Sequence, residues 1–313
     1  MDSYAYFNGQ LLTDLFFPEL IREPVVDPAC APAAAQLRLT RGAPEVTYGE
    51  AVHHWRSGDD LELSCFGAGE WFRLELPGEI VTHIDTRNRH IYYEAAAGVE
   101  AHTLRHFLID QALPRLLGHL GAMIVHGACV TDGSRSLVFL GETGAGKSTL
   151  CGSFAADGWT VLSDDCLLLE PENPPRVHGA YGGIRLWPDS LEHLGLEKQA
   201  MGLMTGGSDK TRVRLAAPGL SGGYPLNMAV VLKASESLGL GRLTASQAVM
   251  ALVAGSFNLD PGDSLLSRNK LRRYAELIEN GLTIHSCHYP RDFRALDRIK
   301  ALLIEALPEQ PVS

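Results

Sequence analysis

The octapeptide Gly141-Glu142-Thr143-Gly144-Ala145-Gly146-Lys147-Ser148 constrains this chain more than any other segment. It satisfies Gly-x-x-x-x-Gly-Lys-Ser, the pattern of a phosphate-cradling loop, in full. The apolar run Ser136 to Leu140 precedes it and a helical pattern from Lys147 to Ala156 follows, as that mechanism requires. Glycines allow successive backbone N–H groups to converge on phosphate oxygens. The helix N-terminus adds partial positive charge, Lys147 neutralises the β- and γ-phosphates, and Ser148 offers a hydroxyl to Mg²⁺. Gly141 to Thr149 is therefore the expected nucleotide-binding segment. The plain alternative is a glycine-rich strand-to-helix turn with no ligand.

A phosphate-bound Mg²⁺ also needs a carboxylate. Asp164-Asp165 follows the apolar run Trp159 to Leu162, one strand beyond the loop, and the sequence predicts that this strand delivers both acids to the sheet edge that holds Lys147. Strand alternation would point the two carboxylates apart, one to the metal and one to an acceptor. Without the glycine loop, Ser163-Asp164-Asp165 reads as a polar turn, and His126, at the end of Met123 to His126, as a satisfied strand histidine.

The order His126-Gly127-Ala128, then Gly-x-x-Gly-x-Gly-Lys-Ser-Thr, then Ser-Asp-Asp resembles the HPr serine kinase/phosphorylase group. That group shares its nucleotide core with ATP-dependent phosphoenolpyruvate carboxykinase. Tyr181 to Asp189 and His288 to Asp292 look like segments of the smaller HPr-kinase-like proteins, some of which phosphorylate a serine of a ribosomal-peptide precursor. The resemblance covers about Ala122 to Leu307. It implies an α/β kinase core using ATP and Mg²⁺ and a peptide or protein acceptor bearing serine. Carried over residue by residue, it makes Asp164 the base, places Asp165 with Ser148 near the metal, sets His126 beside the transferred phosphate, and gives Arg185 a phosphate-clamping role. The group's downstream glycine-rich signature has no counterpart here, which leaves the reverse, phosphorylase activity open.

The chain has 313 residues, room for about two domains. Residues 1–98 read as a smaller strand-rich domain, with strands at Trp71 to Leu76, Val81 to Ile84 and His90 to Tyr93; residues 99–313 read as the kinase domain. The first is expected to select the acceptor or to make subunit contacts, so self-association stays open. A helical pattern from His102 to Leu120 is expected to kink at Pro114. Loops are expected around Asp27-Pro28 and Ala31 to Ala35, and mobile ones at Gly202 to Gly207 and Gly219 to Gly223. Further elements are a strand at Leu226 to Lys233, a helix at Ser264 to Asn280, a strand at Leu282 to Tyr289 and a helix at Asp292 to Leu307.

Charge narrows the partners. With 27 Lys and Arg against 37 Asp and Glu, the formal charge is -10, which argues against nucleic acid and against a polybasic membrane binder. Six scattered cysteines, among them Cys30, form no C-x-x-C pair, and the opening residues carry no basic n-region. A cytoplasmic protein with reduced thiols is expected. Lys210, Arg212 and Arg214 alternate, either as an electrophilic or acidic-substrate-binding row or as a solvated strand face. Arg268, Lys270, Arg272 and Arg273 read as facing water, His285 and Cys287 as core, and His53-His54 as surface. Three functions compete: a serine kinase for a peptide or protein, a small-metabolite kinase on the same core, and a nucleotide-hydrolysing switch or scaffold. Asn269-Lys270-Leu271-Arg272 fails the Asn-Lys-x-Asp pattern of guanine readers.

Overall fold

Along Trp71–Leu76 the even-numbered Phe72 and Leu74 are buried between half-buried neighbours, as on a strand with one face against a core. The computed structural model describes residues 1–24, 36–57, 60–205, 208–215 and 223–308, and sets this strand in an eight-stranded sheet. The order is Asp2–Tyr6, Gly9–Thr13, Gln36–Arg41, His90–Ala95, Ile80–Asp85, Trp71–Leu76, Asp60–Ala68, Ala51–Ser57. Gln36–Arg41 runs parallel to both neighbours, and the remaining pairs are antiparallel. Register sets Leu39 against Ile91, Ile91 against Ile84 and Ile84 against Phe72, a buried row across four strands.

The helical stretch after it is interrupted, as Pro114 dictates. Ala101–Phe107 passes into a wide π turn at Leu108–Ala112 and resumes at Leu113–His119. Proline has no N–H for the carbonyl one turn earlier, so the ladder opens on its N-terminal side. Leu108, Ile109, Leu113 and Leu116 are fully buried, and the Tyr6 hydroxyl donates to the Ile109 carbonyl at 2.5 Å. Met1–Ile124 with Phe257–Asn269 form one compact unit; Val125–Ser256 with Lys270–Ser313 form a second. The strand-rich unit thus continues past residue 98 through the helical stretch.

In the second unit a six-stranded sheet runs Thr160–Ser163, Ala128–Thr131, Ser136–Leu140, Met228–Ala234, Thr283–Tyr289, Gly239–Arg242. Ala128–Thr131 is antiparallel to both its neighbours, so Thr160–Ser163 and Ser136–Leu140 point the same way. Met228–Ala234 and Thr283–Tyr289 are parallel to Ser136–Leu140. Four strands therefore end at one edge, the usual ligand edge of an α/β sheet. Lys147–Ala156 packs beneath it through Leu150, Cys151 and Phe154, against Val130, Phe139 and Val161. A four-stranded sheet (Tyr224–Pro225, Arg176–Gly179, Cys166–Glu170, Met123–His126) and a three-stranded one (Ile184–Leu186, Ser208–Val213, Ala200–Thr205) flank it in sequence. The whole is a mixed α/β protein built on several sheets. Among the described residues, no helix is long and apolar enough to cross a membrane.

Some expectations change. Gly202 belongs to the strand Ala200–Thr205 rather than to a loop. Gly206, Gly207 and residues 219–222 lie outside the described residues, as do Asp27-Pro28, Cys30 and Ala31 to Ala35. Lys270 does not face water: it is 4% exposed, because its position on Ser264–Glu279 shares the inward face with Tyr274 and Leu277. Arg212 is likewise buried, over the Tyr181 ring at 4.9 Å, and Lys210 is half-buried, so of the expected solvated row Arg214 is the exposed member.

Candidate active site

The glycine loop leaves the end of Ser136–Leu140 and opens the helix Lys147–Ala156, with Gly146 as the N-cap residue at φ +92°. Glycine is required there twice over. The positive φ disfavours any side chain, and a Cβ would collide with the Tyr289 hydroxyl. Tyr289, the last residue of its strand, donates that hydroxyl to the Ala145 carbonyl and so ties the loop to the sheet edge. Lys147 is 7% exposed, and its ammonium donates to the carbonyls of Gly141 at 2.7 Å and Glu142 at 3.0 Å. Burial lowers its pKa, against the pull of Asp164 and Asp165.

Asp164 and Asp165 occupy the bend between Thr160–Ser163 and Cys166–Glu170. It is a turn, but a buried one: the two residues are 3% and 4% exposed. Their surroundings differ. Asp164 Oδ2 accepts the Arg185 backbone N–H at 2.8 Å, while Oδ1 is buried with no hydrogen-bond partner among the described residues. Burial first, and the Asp165 charge second, raise the Asp164 carboxyl to about 7; Arg185 and the Ser148 hydroxyl oppose the rise. Asp165 is engaged on both oxygens, by the Arg185 guanidinium on Oδ1 and by the Tyr181 hydroxyl at 3.4 Å on Oδ2.

His126 reaches the same place from Met123–His126. Its Nδ1–H donates to the Asp165 carbonyl at 3.0 Å, which leaves Nε2 as the acceptor of the neutral ring. Burial and the nearby Lys147 charge lower its pKa to about 4, so the ring is neutral at pH 7. Gly127 follows because the strand Ser136–Leu140 leaves no room: a Cβ there would meet the Phe139 carbonyl oxygen at 2.9 Å.

These groups surround one cavity of about 370 Å³. Thr143, Gly144, Gly146, Lys147, Ser148 and Thr149 line it from the loop and helix, together with His126, Asp164, Asp165 and Arg185. Gly141, Glu142 and Ala145 of the expected segment are not part of the lining: two lend carbonyls to Lys147 and one takes the Tyr289 hydrogen bond. The sequence-named residues are thus brought together. The cavity also takes Trp187, Asp189, Ser190, Tyr289, Arg291 and Phe293, to which the sequence assigned no site role, and Lys210, which it offered only as part of an electrophilic or acidic-substrate-binding row. Most of these fall in Tyr181 to Asp189 and His288 to Asp292, so the signal lay in unassigned segments; Lys210 was visible only as one of three alternating cations.

Among the described residues no group of three or more His, Cys, Asp and Glu gathers into a metal cage. Mg²⁺ on a nucleotide does not need one, since phosphate oxygens and water supply most of its ligands. One hydroxyl and one carboxylate suffice, and the donor set of Ser148 with one carboxylate of the Asp164–Asp165 pair, all three lining the cavity, fits that requirement.

No family model and no curated protein matches the chain. Among solved structures, the HPr(Ser) kinase/phosphatase from Coxiella burnetii is similar over 58% of this chain and 95% of that chain, at 12% identity and a TM-score of 0.29.

Proposed function

We propose that the chain is an ATP-dependent phosphotransferase that moves the γ-phosphoryl group to a serine hydroxyl of a peptide or protein. The observation that carries this reading is the pair of unlike buried carboxylates sharing one cavity with Lys147. Phosphoryl transfer asks a protein for charge neutralisation and for an aligned acceptor able to lose its proton. Lys147 and the loop N–H groups serve the first need. Asp164, whose Oδ1 has no hydrogen-bond partner among the described residues and whose pKa is near neutrality, suits the second, because a general base works best near the operating pH. Ser148 and Asp165 would hold Mg²⁺, which when bound supplies charge neutralisation on the phosphates. Asp165 must then share its carboxylate with Arg185. His126 Nε2 would accept a hydrogen bond from the acceptor or from an ordered water. The motif order shared with the HPr serine kinase group supports serine as the acceptor.

The test supplies γ-labelled ATP and Mg²⁺ with serine-containing peptides, with small metabolites, or with water alone. Label on a peptide serine is the expected product. Label on a metabolite overturns the peptide acceptor, and release of free phosphate alone overturns the kinase in favour of a hydrolytic switch.

A further inference from the structure

We propose that Lys210 is a further catalytic residue, whose ammonium contacts the γ-phosphoryl oxygens during transfer; this rests on the phosphotransferase reading above. Its strand, Ser208–Val213, runs antiparallel to Ile184–Leu186, with Arg212 opposite Arg185 and Thr211 opposite Leu186. The next step of that register brings Lys210 beside Trp187, and its Nζ lies 5.3 Å from the indole ring centroid. An indole face steadies an ammonium without cancelling its charge. Trp187 is 46% exposed, and both residues line the cavity with Lys147, Asp164, Asp165 and Arg185.

The charge arrangement points to an anionic ligand. Arg185 is engaged with Asp165, and burial first and the Arg185 charge second disfavour the charged form of Lys210, against the opposing pull of Asp164 and Asp165. Holding like charges together costs the ligand-free protein free energy, and an entering anion offsets that cost. The anion with the greatest demand is the transferring phosphoryl group, whose charge spreads over three equatorial oxygens. Lys147, and Mg²⁺ if held by Ser148 and Asp165, would neutralise charge on the β- and γ-phosphates, and Lys210 would add a cation from another strand. In the step itself the serine oxygen–Pγ bond forms as the bond from Pγ to the β,γ-bridging oxygen breaks. The serine proton passes to Asp164, the nucleoside diphosphate leaves, and Lys210 keeps its protons throughout.

The experiment compares wild type, Lys210→Met and Lys210→Arg as full chains, each checked by thermal melting. Calorimetry measures binding of Mg²⁺ with a non-hydrolysable ATP analogue and with ADP. The expected result is that Lys210→Met binds the triphosphate analogue about tenfold more weakly or worse, the size of a lost charged hydrogen bond. ADP affinity should stay within about twofold, and Lys210→Arg should keep most of the preference. An unchanged triphosphate preference in folded Lys210→Met, or an equal loss for both nucleotides, overturns the role of Lys210 and leaves the kinase reading standing. Wild type that binds neither nucleotide overturns both.

Discussion

Asp164 has one carboxylate oxygen on the Arg185 amide and the other without a partner among the described residues, whereas Asp165 is tied to Arg185 and Tyr181. Asp164→Asn should therefore keep Mg-nucleotide affinity and lose roughly 10²–10⁴ in single-turnover transfer, the usual size of a general-base contribution. Asp165→Asn should weaken Mg²⁺ dependence and nucleotide binding together; titrating Mg²⁺ in both variants separates the roles, and the opposite pattern reverses them. A base must be ionised to take a proton, so kcat/KM of the wild type should rise with pH through about 7. Stability has the opposite sign. Between 3.8 and about 7 the folded, nucleotide-free protein keeps a proton on Asp164 that the unfolded chain has released. Stability from this group is thus present at low pH and lost as pH rises through that window. Nucleotide-free Asp164→Asn should melt a few degrees above wild type at pH 8, with the gap narrowing by pH 5. The two aspartates were legible from residue type and spacing. Their inequality was not, because it comes from Arg185 and Tyr181, about 20 residues away in sequence, which only the fold brings to them.

The strand–loop–helix unit was the most legible element, since its pattern is local: an apolar strand, glycines at the turn, then the helix Lys147–Ala156. Trp71–Leu76 and Met123–His126 were equally plain from alternation or apolar run. Strands such as Asp2–Tyr6, Arg176–Gly179 and Ile184–Leu186 were not, because they are short and carry polar or glycine residues that only tertiary pairing holds in a sheet. The tie between the glycine loop and Thr283–Tyr289 was invisible for the same reason, spanning 144 residues. It makes a prediction at this scale. Gly146→Ala must leave a positive-φ conformation and displace the Tyr289 hydroxyl, which should cost about 1–3 kcal/mol and abolish nucleotide binding. Tyr289→Phe removes only the hydrogen bond and should cost about 1 kcal/mol while retaining binding. Denaturant melts and nucleotide titration of the two variants check both values.

At the scale of the molecule, the first compact unit keeps Leu108, Ile109, Leu113 and Leu116 fully buried with the strands that precede them. A fragment beginning near Glu100 would strip those strands away and expose that apolar surface. It should be insoluble on expression, and a soluble, monomeric fragment would show that the helical stretch belongs elsewhere. The full chain is therefore the form in which the activity has to be measured. The most direct measurement is phosphoryl transfer from labelled ATP by wild type and Lys147→Ala, alongside their thermal melts. The predicted result is a folded Lys147→Ala protein with transfer reduced to background, because the loop loses the charge that neutralises the β- and γ-phosphates together. Transfer by Lys147→Ala at the wild-type rate would contradict the account.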